Sequence, residues 1–292
     1  MDDIAVSIIS DIACHLGEGP AYDAAAGALF WFDIAECKLL RKSWPDGKTI
    51  VHDLPLMASA FAVTTQGRPA IVTETGLHLR DPASGALALV QPIEADDRTT
   101  RSNDARVHPC GAFWISTMGK RAETGAGTIY WYRAGELRPL FPRITIPNSI
   151  CFSPAGDAAF FADTAVNRLW RVACDPATGL PVGEPAIFLD QPDEDGHFDG
   201  SVTDRDGLLW NARWGSGALD CYDAAGRRLR RIALPARQTS CPAFVGPQAD
   251  RIAVTSAWQG LGAEGRRRDP HAGSTFLVDL PVRGRHEPLL LL

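Results

Sequence analysis

The sequence predicts an all-β protein built as a six-bladed β-propeller. The main observation is a pattern that occurs six times: a turn with Gly or Asp, an apolar strand, a short polar break and a second strand. The six copies are GALFWFD from Gly27, GRPAIVTETG from Gly67, GAFWISTMG from Gly111, GDAAFFADT from Gly156, GLLWNARWG from Gly207 and DRIAVTSAW from Asp250. Successive copies start 40, 44, 45, 51 and 43 residues apart. This period, with several short strands in each copy, is typical of a propeller.

Two other folds fit the pattern less well. Solenoid helices at this period need amphipathic runs of about 10–15 residues, and the sequence has none. A β-sandwich with coincidental spacing is the other alternative. The six copies extend over the full length, so we expect one domain, residues 1–292.

A further strand is predicted before the first copy. The segment AVSIISDIA, residues 5–13, is apolar and rich in β-branched residues. We expect this N-terminal strand to pair with the last blade and close the ring, because closure leaves no bare sheet edge.

Composition excludes several classes of partner. The 45% of hydrophobic and 22% of charged residues are ordinary for a globular protein with a core. The net charge of −6 argues against nucleic acid or an anionic membrane as a partner. No segment approaches the ~20 apolar residues of a membrane helix. We expect a small molecule as the partner, and a monomer or weak homodimer.

The cysteines and the first residues predict a cytoplasmic protein. The seven cysteines are widely spread and form no C-x-x-C pair, which favours reduced thiols over a disulfide framework. The opening MDDIAVSIIS carries acids where a secretory signal needs a basic region.

Three unusual polar residues precede apolar strands at equivalent places in three blades. They are Glu18, Asn148 and Asp199, in the segments HLGEGPAY, IPNSICFSPAG and HFDGSVTDRDG. The loops that lead into the innermost strands of a propeller converge on one mouth of its channel. Two carboxylates and an amide oxygen are a hard donor set suited to Ca²⁺, Mg²⁺ or Mn²⁺. The alternative is that each residue is an ordinary turn former.

The segment RSNDARVHPCGAFWISTMG, residues 101–119, is a fourth candidate. Its first half holds Arg101, Asn103 and Asp104, and its second half predicts the first strand of the third blade. The first half, with its polar residues, is then expected to be a loop at the same mouth of the channel. The alternative is an Asx turn that satisfies local backbone groups.

These motifs together resemble the family of SMP-30, gluconolactonase and regucalcin. The matching segments, in the family's order, are LGEGP, WFDI, RSNDARVHPCG with STMG, PNSICFSPAGD, FADT, FDGSVTDRDGLLWNARWG, RIALPARQTSCPAF and VTSA. The family's members are six-bladed propellers that hydrolyse sugar lactones. Among its members the sequence resembles bacterial aldonolactonases, such as those for pentonolactones.

The resemblance implies roles for individual residues. Glu18, Asn148 and Asp199 fall on the family's metal-ligand positions, and Arg101 and Asn103 fall on its substrate-binding positions. The variable loop GKRAETGAG covers the pocket, and we expect its Glu123 to reach the substrate. Asp104 is then a turn residue or a support for the site.

The resemblance also implies a cofactor and a reaction. The cofactor is one divalent cation: Ca²⁺ is expected first, and Zn²⁺, Mn²⁺, Mg²⁺ and Fe²⁺ also occur in the family. The expected reaction opens an aldonolactone to the aldonic acid, with the carbonyl polarised by the metal and attacked by metal-bound water. Asp199 is the expected base as well as a ligand.

The sequence departs from the family's pattern at three places. His108 precedes Pro109 where relatives often have aspartate, Ser116–Met118 replaces Gly-Thr-Met, and Ser149 follows Asn148 where glycine is usual. We expect these changes to affect packing and turn geometry, and Ser149 is the one beside a predicted ligand.

Aromatic residues and a histidine near the predicted mouth have two interpretations. Trp214, Trp258 and Phe198 either wall the pocket or pack between blades. His197, two residues before Asp199, is expected to be a solvent-exposed loop residue.

Two rival functions stay open from the sequence. One is hydrolysis of organophosphate or aryl esters on the same scaffold, with a more apolar pocket. The other is a non-catalytic propeller that binds calcium or a protein partner, since propellers serve many functions.

Overall fold

The computed structural model describes residues 4–292. Within them, 24 strands form six antiparallel sheets of four strands each. In chain order the strands are β1 (Val6–Ser10), β2 (Gly17–Asp23), β3 (Ala28–Asp33), β4 (Lys38–Ser43), β5 (Thr49–Asp53), β6 (Ala58–Val63), β7 (Pro69–Thr73), β8 (Gly76–Arg80), β9 (Leu87–Pro92), β10 (Thr100–Val107), β11 (Phe113–Gly119), β12 (Gly127–Arg133), β13 (Glu136–Ile144), β14 (Pro147–Phe152), β15 (Ala158–Asp163), β16 (Arg168–Cys174), β17 (Pro181–Asp190), β18 (His197–Thr203), β19 (Leu209–Trp214), β20 (Ala218–Tyr222), β21 (Arg228–Ala233), β22 (Thr239–Val245), β23 (Arg251–Ser256) and β24 (Thr275–Val278). The helical elements are a 3-10 turn, Thr164–Val166, and α1, Ala263–Arg268.

Each sheet is one blade of a six-bladed β-propeller, as the sequence predicts. Five blades are consecutive four-strand meanders that start at β2, β6, β10, β14 and β18. The sixth blade consists of β22, β23 and β24, and β1 supplies its outer strand. Val6 pairs with Val278 and Ser10 with Thr275. The predicted closure of the ring by the N-terminal strand is therefore confirmed.

The first strand of each blade lines the central channel. The six first strands contact one another in a closed ring, β2 to β6, β10, β14, β18, β22 and back to β2. The repeated apolar segments are the second strands of their blades, not the first. GAFWISTMG, for example, contains β11, which pairs on one side with β10 and on the other with β12.

The prediction that the polar segment from residue 101 forms a loop is therefore wrong. It is β10, and all eight of its residues are buried. Glu18, Asn148 and Asp199 likewise lie within β2, β14 and β18, not in loops ahead of strands. Polar side chains are stable on these strands because neighbouring blades supply hydrogen-bond partners in the channel.

Every channel-lining strand carries a β-bulge at about the same level. The register shifts between Glu18 and Ala21, Ala58 and Ala60, Ser102 and Ala105, Asn148 and Cys151, Phe198 and Ser201, and Thr239 and Pro242. A bulge leaves a residue without a ladder partner and redirects its side chain. Of the predicted site residues, Glu18, Asn103, Asn148 and Asp199 lie at four of these six bulges.

The hydrophobic core lies between blades. Trp114 of blade 3 is fully buried and meets Phe152 of blade 4 edge-on, with the ring centroids 5.3 Å apart. Phe30 of blade 1 stacks on Phe61 of blade 2 at 4.3 Å. Burying such side chains contributes about 1.5–3 kcal/mol each, so these contacts hold the channel strands in a rigid ring.

Residues 280–292, here called the C-terminal strap, cross the face where the channel strands end. Leu290 is fully buried, and its N–H donates to the carbonyl of Val63 at 2.8 Å. The N–H of Leu291 donates to the carbonyl of Gly111 at 2.9 Å. Glu287 accepts a 2.7 Å hydrogen bond from the buried Arg106. The strap thus seals the channel opposite the end where the predicted site residues lie.

Two further features concern membranes and thiols. In the part of the chain from residue 4 onward, no helix is long and apolar enough to cross a membrane. All seven cysteines are free thiols, as expected, and five of them are buried.

Candidate functional site

A cavity of about 390 Å³ opens at the end of the channel where the first strands begin. Its lining residues come mainly from blades 1, 3, 4 and 5. They are Leu16, Glu18, Arg101, Asn103, Met118, Lys120, Arg121, Ala122, Ile146, Asn148, Thr164, Asp199, Trp214 and Gln259. The structure therefore brings the three predicted metal ligands, Arg101 and Asn103 to one cavity.

Glu18 projects from the bulge of β2. Its Oε2 accepts a 3.0 Å hydrogen bond from the N–H of Gly19. Gly19 has a φ of +55°, and a Cβ at this position would overlap the carbonyl oxygen of Ser59 on β6. Glycine is therefore required here, because it allows the left-handed turn and the close approach of blade 2.

The side chain of Asn148 is held from both ends. Its Nδ2 donates to Thr164 Oγ1 at 2.8 Å, and its Oδ1 accepts from Asn103 Nδ2 at 3.0 Å. Thr164 in turn donates to the carbonyl of Phe198 at 2.7 Å. An amide oxygen has two lone pairs, so Oδ1 of Asn148 keeps one acceptor position for a cation.

Asp199 and Glu18 carry carboxylates that the fold disfavours in their charged form. Burial raises the pKa of Glu18 to about 8, and the negative charge of Asp104 adds to this shift. Burial also raises the pKa of Asp199 well above its usual value, with further contributions from Glu18 and Asp104. A cation between them would offset both effects, because it favours the charged forms.

The donor set fits a hard divalent cation. Residues 4–292 contain no cluster of three or more His, Cys, Asp or Glu side chains arranged for a metal ion. The candidate set is instead two carboxylates and one amide oxygen, and the cavity lining has neither His nor Cys. Oxygen-only donors are the ligands that Ca²⁺, Mg²⁺ and Mn²⁺ prefer.

Arg101 and Asn103 form a connected pair on β10. Arg101 Nη1 donates to Asn103 Oδ1 and to the carbonyl of Ser102, both at 2.8 Å. Asn103 Nδ2 also reaches the carbonyl of Pro147 at 2.9 Å. Burial lowers the pKa of Arg101 to about 10, so the guanidinium stays charged at neutral pH. Its other N–H groups are donors at the cavity wall.

Asp104 supports the site from behind. Its Oδ2 accepts a 2.6 Å hydrogen bond from the N–H of Ile150 on β14, and its carbonyl accepts from Ser116 Oγ at 2.7 Å. Of its two predicted roles, the supporting one matches the structure, since Asp104 links β10 to β14 and β11.

The structure gives no support to a substrate contact by Glu123. Its carboxylate is 40% exposed and pairs with Arg121 at 3.1 Å, and it does not line the cavity. The same loop contributes Lys120, Arg121 and Ala122 instead. Lys120 Nζ is held 2.6 Å from Glu74 Oε2.

The aromatic candidates have different positions. Trp214, at the end of β19, lines the cavity. Phe198 is fully buried, with the guanidinium of Arg213 4.2 Å from its ring centroid, so it is a packing residue. Trp258 stacks on His15 at 4.0 Å, outside the cavity lining.

The expectation that His197 is a solvent-exposed loop residue is wrong. His197 is the first residue of β18 and is half-buried. Its Nδ1 lies 2.8 Å from the carbonyl of Thr164. This hydrogen bond joins β18 to the 3-10 turn that also orients Asn148.

Sequence reasoning missed several lining residues. Thr164 and Met118 lie in the motifs FADT and STMG, so the motifs contained a signal for both. Leu16 and Ile146 open the segments LGEGP and IPNSICFSPAG, so they too lay beside a signal. Gln259 had none, because its place in the wall depends on how distant blades meet.

A six-bladed propeller with an oxygen donor set at one end of its channel is the class of protein that this fold and site define. Residues 16–258 match the family model described as the SMP-30/Gluconolactonase/LRE-like region. The chain belongs to this family.

Similar proteins cover nearly the whole chain. An L-arabinolactonase from Azospirillum brasilense is 34% identical over 93% of this chain and 91% of its own length. A pentonolactonase from Haloferax volcanii is 30% identical over 97% of each chain. The crystal structure of a calcium-binding protein, regucalcin, from Agrobacterium tumefaciens str. C58 has 46% identity and a TM-score of 0.97, and covers 99% of this chain and 98% of that one.

Proposed function

We propose that this protein is a metal-dependent hydrolase that opens sugar lactones, in particular aldonolactones, to aldonic acids. The observation that carries the proposal is the meeting of Glu18, Asn148 and Asp199 with Arg101 and Asn103 around one cavity. The relatives described as an L-arabinolactonase and a pentonolactonase support a five-carbon lactone as the substrate class.

The metal would be held by one oxygen each from Glu18, Asn148 and Asp199. When bound, a divalent cation supplies Lewis acidity, which stabilises the negative charge that develops on the carbonyl oxygen during hydrolysis. Ca²⁺ is the first cation to test, because the donors are all oxygens and the Agrobacterium relative is described as calcium-binding.

The other polar groups orient the substrate and move a proton. Arg101 donates from its free N–H groups to ring or hydroxyl oxygens of the lactone, and its bond to Asn103 fixes the plane of the guanidinium. The Asp199 carboxylate would take the proton of the attacking water, since it is buried in the wall of the cavity that would hold the lactone.

The polarity of the cavity favours a sugar lactone over an aryl ester. Besides the three candidate ligands, its wall presents the side chains of Arg101, Asn103, Lys120, Arg121, Thr164 and Gln259. These are hydrogen-bonding groups for hydroxyls. An aryl ester offers no hydroxyls to those donors that have no protein partner, such as the remaining N–H groups of Arg101, and leaving them unpaired costs binding free energy.

The test is acid release from a panel of γ- and δ-aldonolactones. Chelator-treated protein is reloaded with Ca²⁺, Mg²⁺, Mn²⁺ or Zn²⁺ singly, and an aryl ester and an organophosphate are assayed at equal metal loading. We expect pentonolactones to be opened fastest and the stripped protein to be inactive. If no lactone opens faster than in buffer with any ion, the proposal fails.

Variants connect the activity to the site. Glu18→Gln, Asn148→Ala and Asp199→Asn should each lower kcat/KM by roughly 100-fold or more, because each removes a group that acts on the transition state. Glu136→Gln, an exposed carboxylate far from the cavity in β13, is the matched control and should leave the rate unchanged.

A further inference from the structure

Ser149 follows the candidate ligand Asn148 in the bulge of β14 and has an unusual backbone. Its φ is +58°, in the left-handed region that favours glycine. Gly19 follows the candidate ligand Glu18 in the same way, with a φ of +55°. Two ligand-bearing strands therefore make the same turn, one with glycine and one with serine. A serine that holds this conformation needs a compensating interaction.

The hydroxyl of Ser149 provides that interaction. It is fully buried and donates to the backbone carbonyl of Asp199. It also accepts hydrogen bonds from Ser201 Oγ and from Asn211 Nδ2, both at 3.1 Å. A hydroxyl has one proton and two lone pairs, so all of its bonding capacity is used.

These bonds join the two blades that carry Asn148 and Asp199. Asn211, on β19, also donates to the carbonyl of Asp199 at 3.1 Å. Two donors from different strands therefore hold the backbone of Asp199. The carboxylate of Asp199 is thus placed relative to Asn148 through a contact between the residue that follows Asn148 and the backbone of Asp199 itself.

We propose that Ser149 is a positioning residue for the cation, and that its hydroxyl fixes the distance between the Asn148 and Asp199 donors. This inference rests on the proposed metal-dependent function. Its physical basis is that groups which orient ligands typically change metal affinity by about 10–100-fold when they are removed.

The test compares Ser149→Gly with Ser149→Ala. Both variants lack the hydroxyl. Glycine also relieves the backbone strain of the positive φ, whereas alanine keeps that strain because it has a Cβ. The Kd for Mn²⁺ is measured on chelator-treated protein by titration with EPR detection of free Mn²⁺, the Kd for Ca²⁺ by calorimetry, and Tm without metal. Ser153→Ala, in the hairpin after the same strand, is the control because its hydroxyl bonds only within that turn.

We expect both variants to bind Mn²⁺ and Ca²⁺ at least about 10-fold more weakly, while the Tm of Ser149→Gly stays above that of Ser149→Ala. If either variant, or both, keeps the wild-type Kd, the hydroxyl does not position the cation and the inference is overturned. If the wild-type protein itself binds neither ion, the proposed metal dependence fails first. The wild-type titration thus separates the two failures.

Discussion

The side-chain amide of Asn103 donates a 3.0 Å hydrogen bond to Oδ1 of Asn148, the oxygen proposed to bind the cation. A candidate substrate residue of blade 3 thus touches a candidate ligand of blade 4. The metal and substrate parts of the site are therefore one hydrogen-bonded unit.

This contact predicts that Asn103→Ala impairs both functions. The amide of Asn148 loses a donor that fixes its orientation, so we expect the Kd for Ca²⁺ to rise by about 10-fold, together with a higher KM. Calorimetry with Ca²⁺ and lactone kinetics at saturating metal measure the two effects. A higher KM with an unchanged Kd would show that Asn103 acts on the substrate alone.

The raised pKa of Glu18 predicts how stability depends on pH without metal. The pKa of Glu18 is 4.5 before folding and about 8 in the fold. Between these values the folded state binds more protons than the unfolded state, so this group's contribution to stability falls as pH rises. Glu18→Gln mimics the protonated form and should therefore have a Tm at least about 2 °C above wild type at pH 8.

The pH dependence of the wild-type Tm also contains a contribution from buried histidines, so the Tm of the variant must be subtracted from it at each pH. Burial lowers the pKa values of His78 and His108, and this makes the fold more stable as pH rises, the opposite sign. The Tm of wild type minus that of Glu18→Gln, measured from pH 5 to 8 with a chelator, removes the histidine effect and leaves that of Glu18 together with its charge effect on Asp199, which has the same sign. A difference that is constant or grows more positive with pH contradicts the prediction, and added Ca²⁺ should reverse the trend in wild type.

In the loop after β11, replacing Arg121 and replacing Glu123 should have different effects on KM. Arg121 lines the cavity, whereas Glu123 does not and is 40% exposed. We expect Arg121→Gln to raise KM by about fivefold, the loss of one hydrogen bond to substrate. Glu123→Gln should change KM by less than about twofold, because the ion pair that it weakens, the one with Arg121, is exposed and such pairs contribute little. A larger effect of Glu123→Gln would restore the substrate role expected from the sequence.

The C-terminal strap predicts unequal effects at adjacent leucines. Leu290 is fully buried against blades 2 and 3, and Leu289 is 51% exposed. Leu290→Ala should lower the free energy of unfolding by about 2–5 kcal/mol, and Leu289→Ala by less than about 0.5 kcal/mol. Urea unfolding measures both. Equal small losses would mean that the strap adds little to the stability of the ring.

The six blades and their closure could be predicted because the second strand of each blade is apolar and regularly spaced. β11 and β15 are buried on all sides by neighbouring strands and blades, so their sequences are nearly continuous apolar runs. The pairing of β1 with β24 followed from the need to cover two sheet edges.

The polar parts of the first strands could not be recognised as strand. β10 reads TRSNDARV and β18 reads HFDGSVT, with buried charges, amides and a glycine where a strand normally alternates. Their polar groups are satisfied by other blades, as in the bond from Asn103 to Asn148. Such partners are distant in sequence, so no local pattern reveals them. The same applies to the strap, whose leucines carry no periodicity.

The pairing of β1 with β24 also sets the order in which the protein can be completed on the ribosome. β1 is translated before the other described strands, but its partner emerges only after five whole blades have been made. Until β24 is made, the edge of β1 that will face it has no hydrogen-bonding partner. The same is true of β23 once it has been translated. Unpaired edges invite association with other chains. A nascent chain stalled after β23 therefore exposes the facing edges of β1 and β23 at once, and both are covered only when residues 275–278 pair between them.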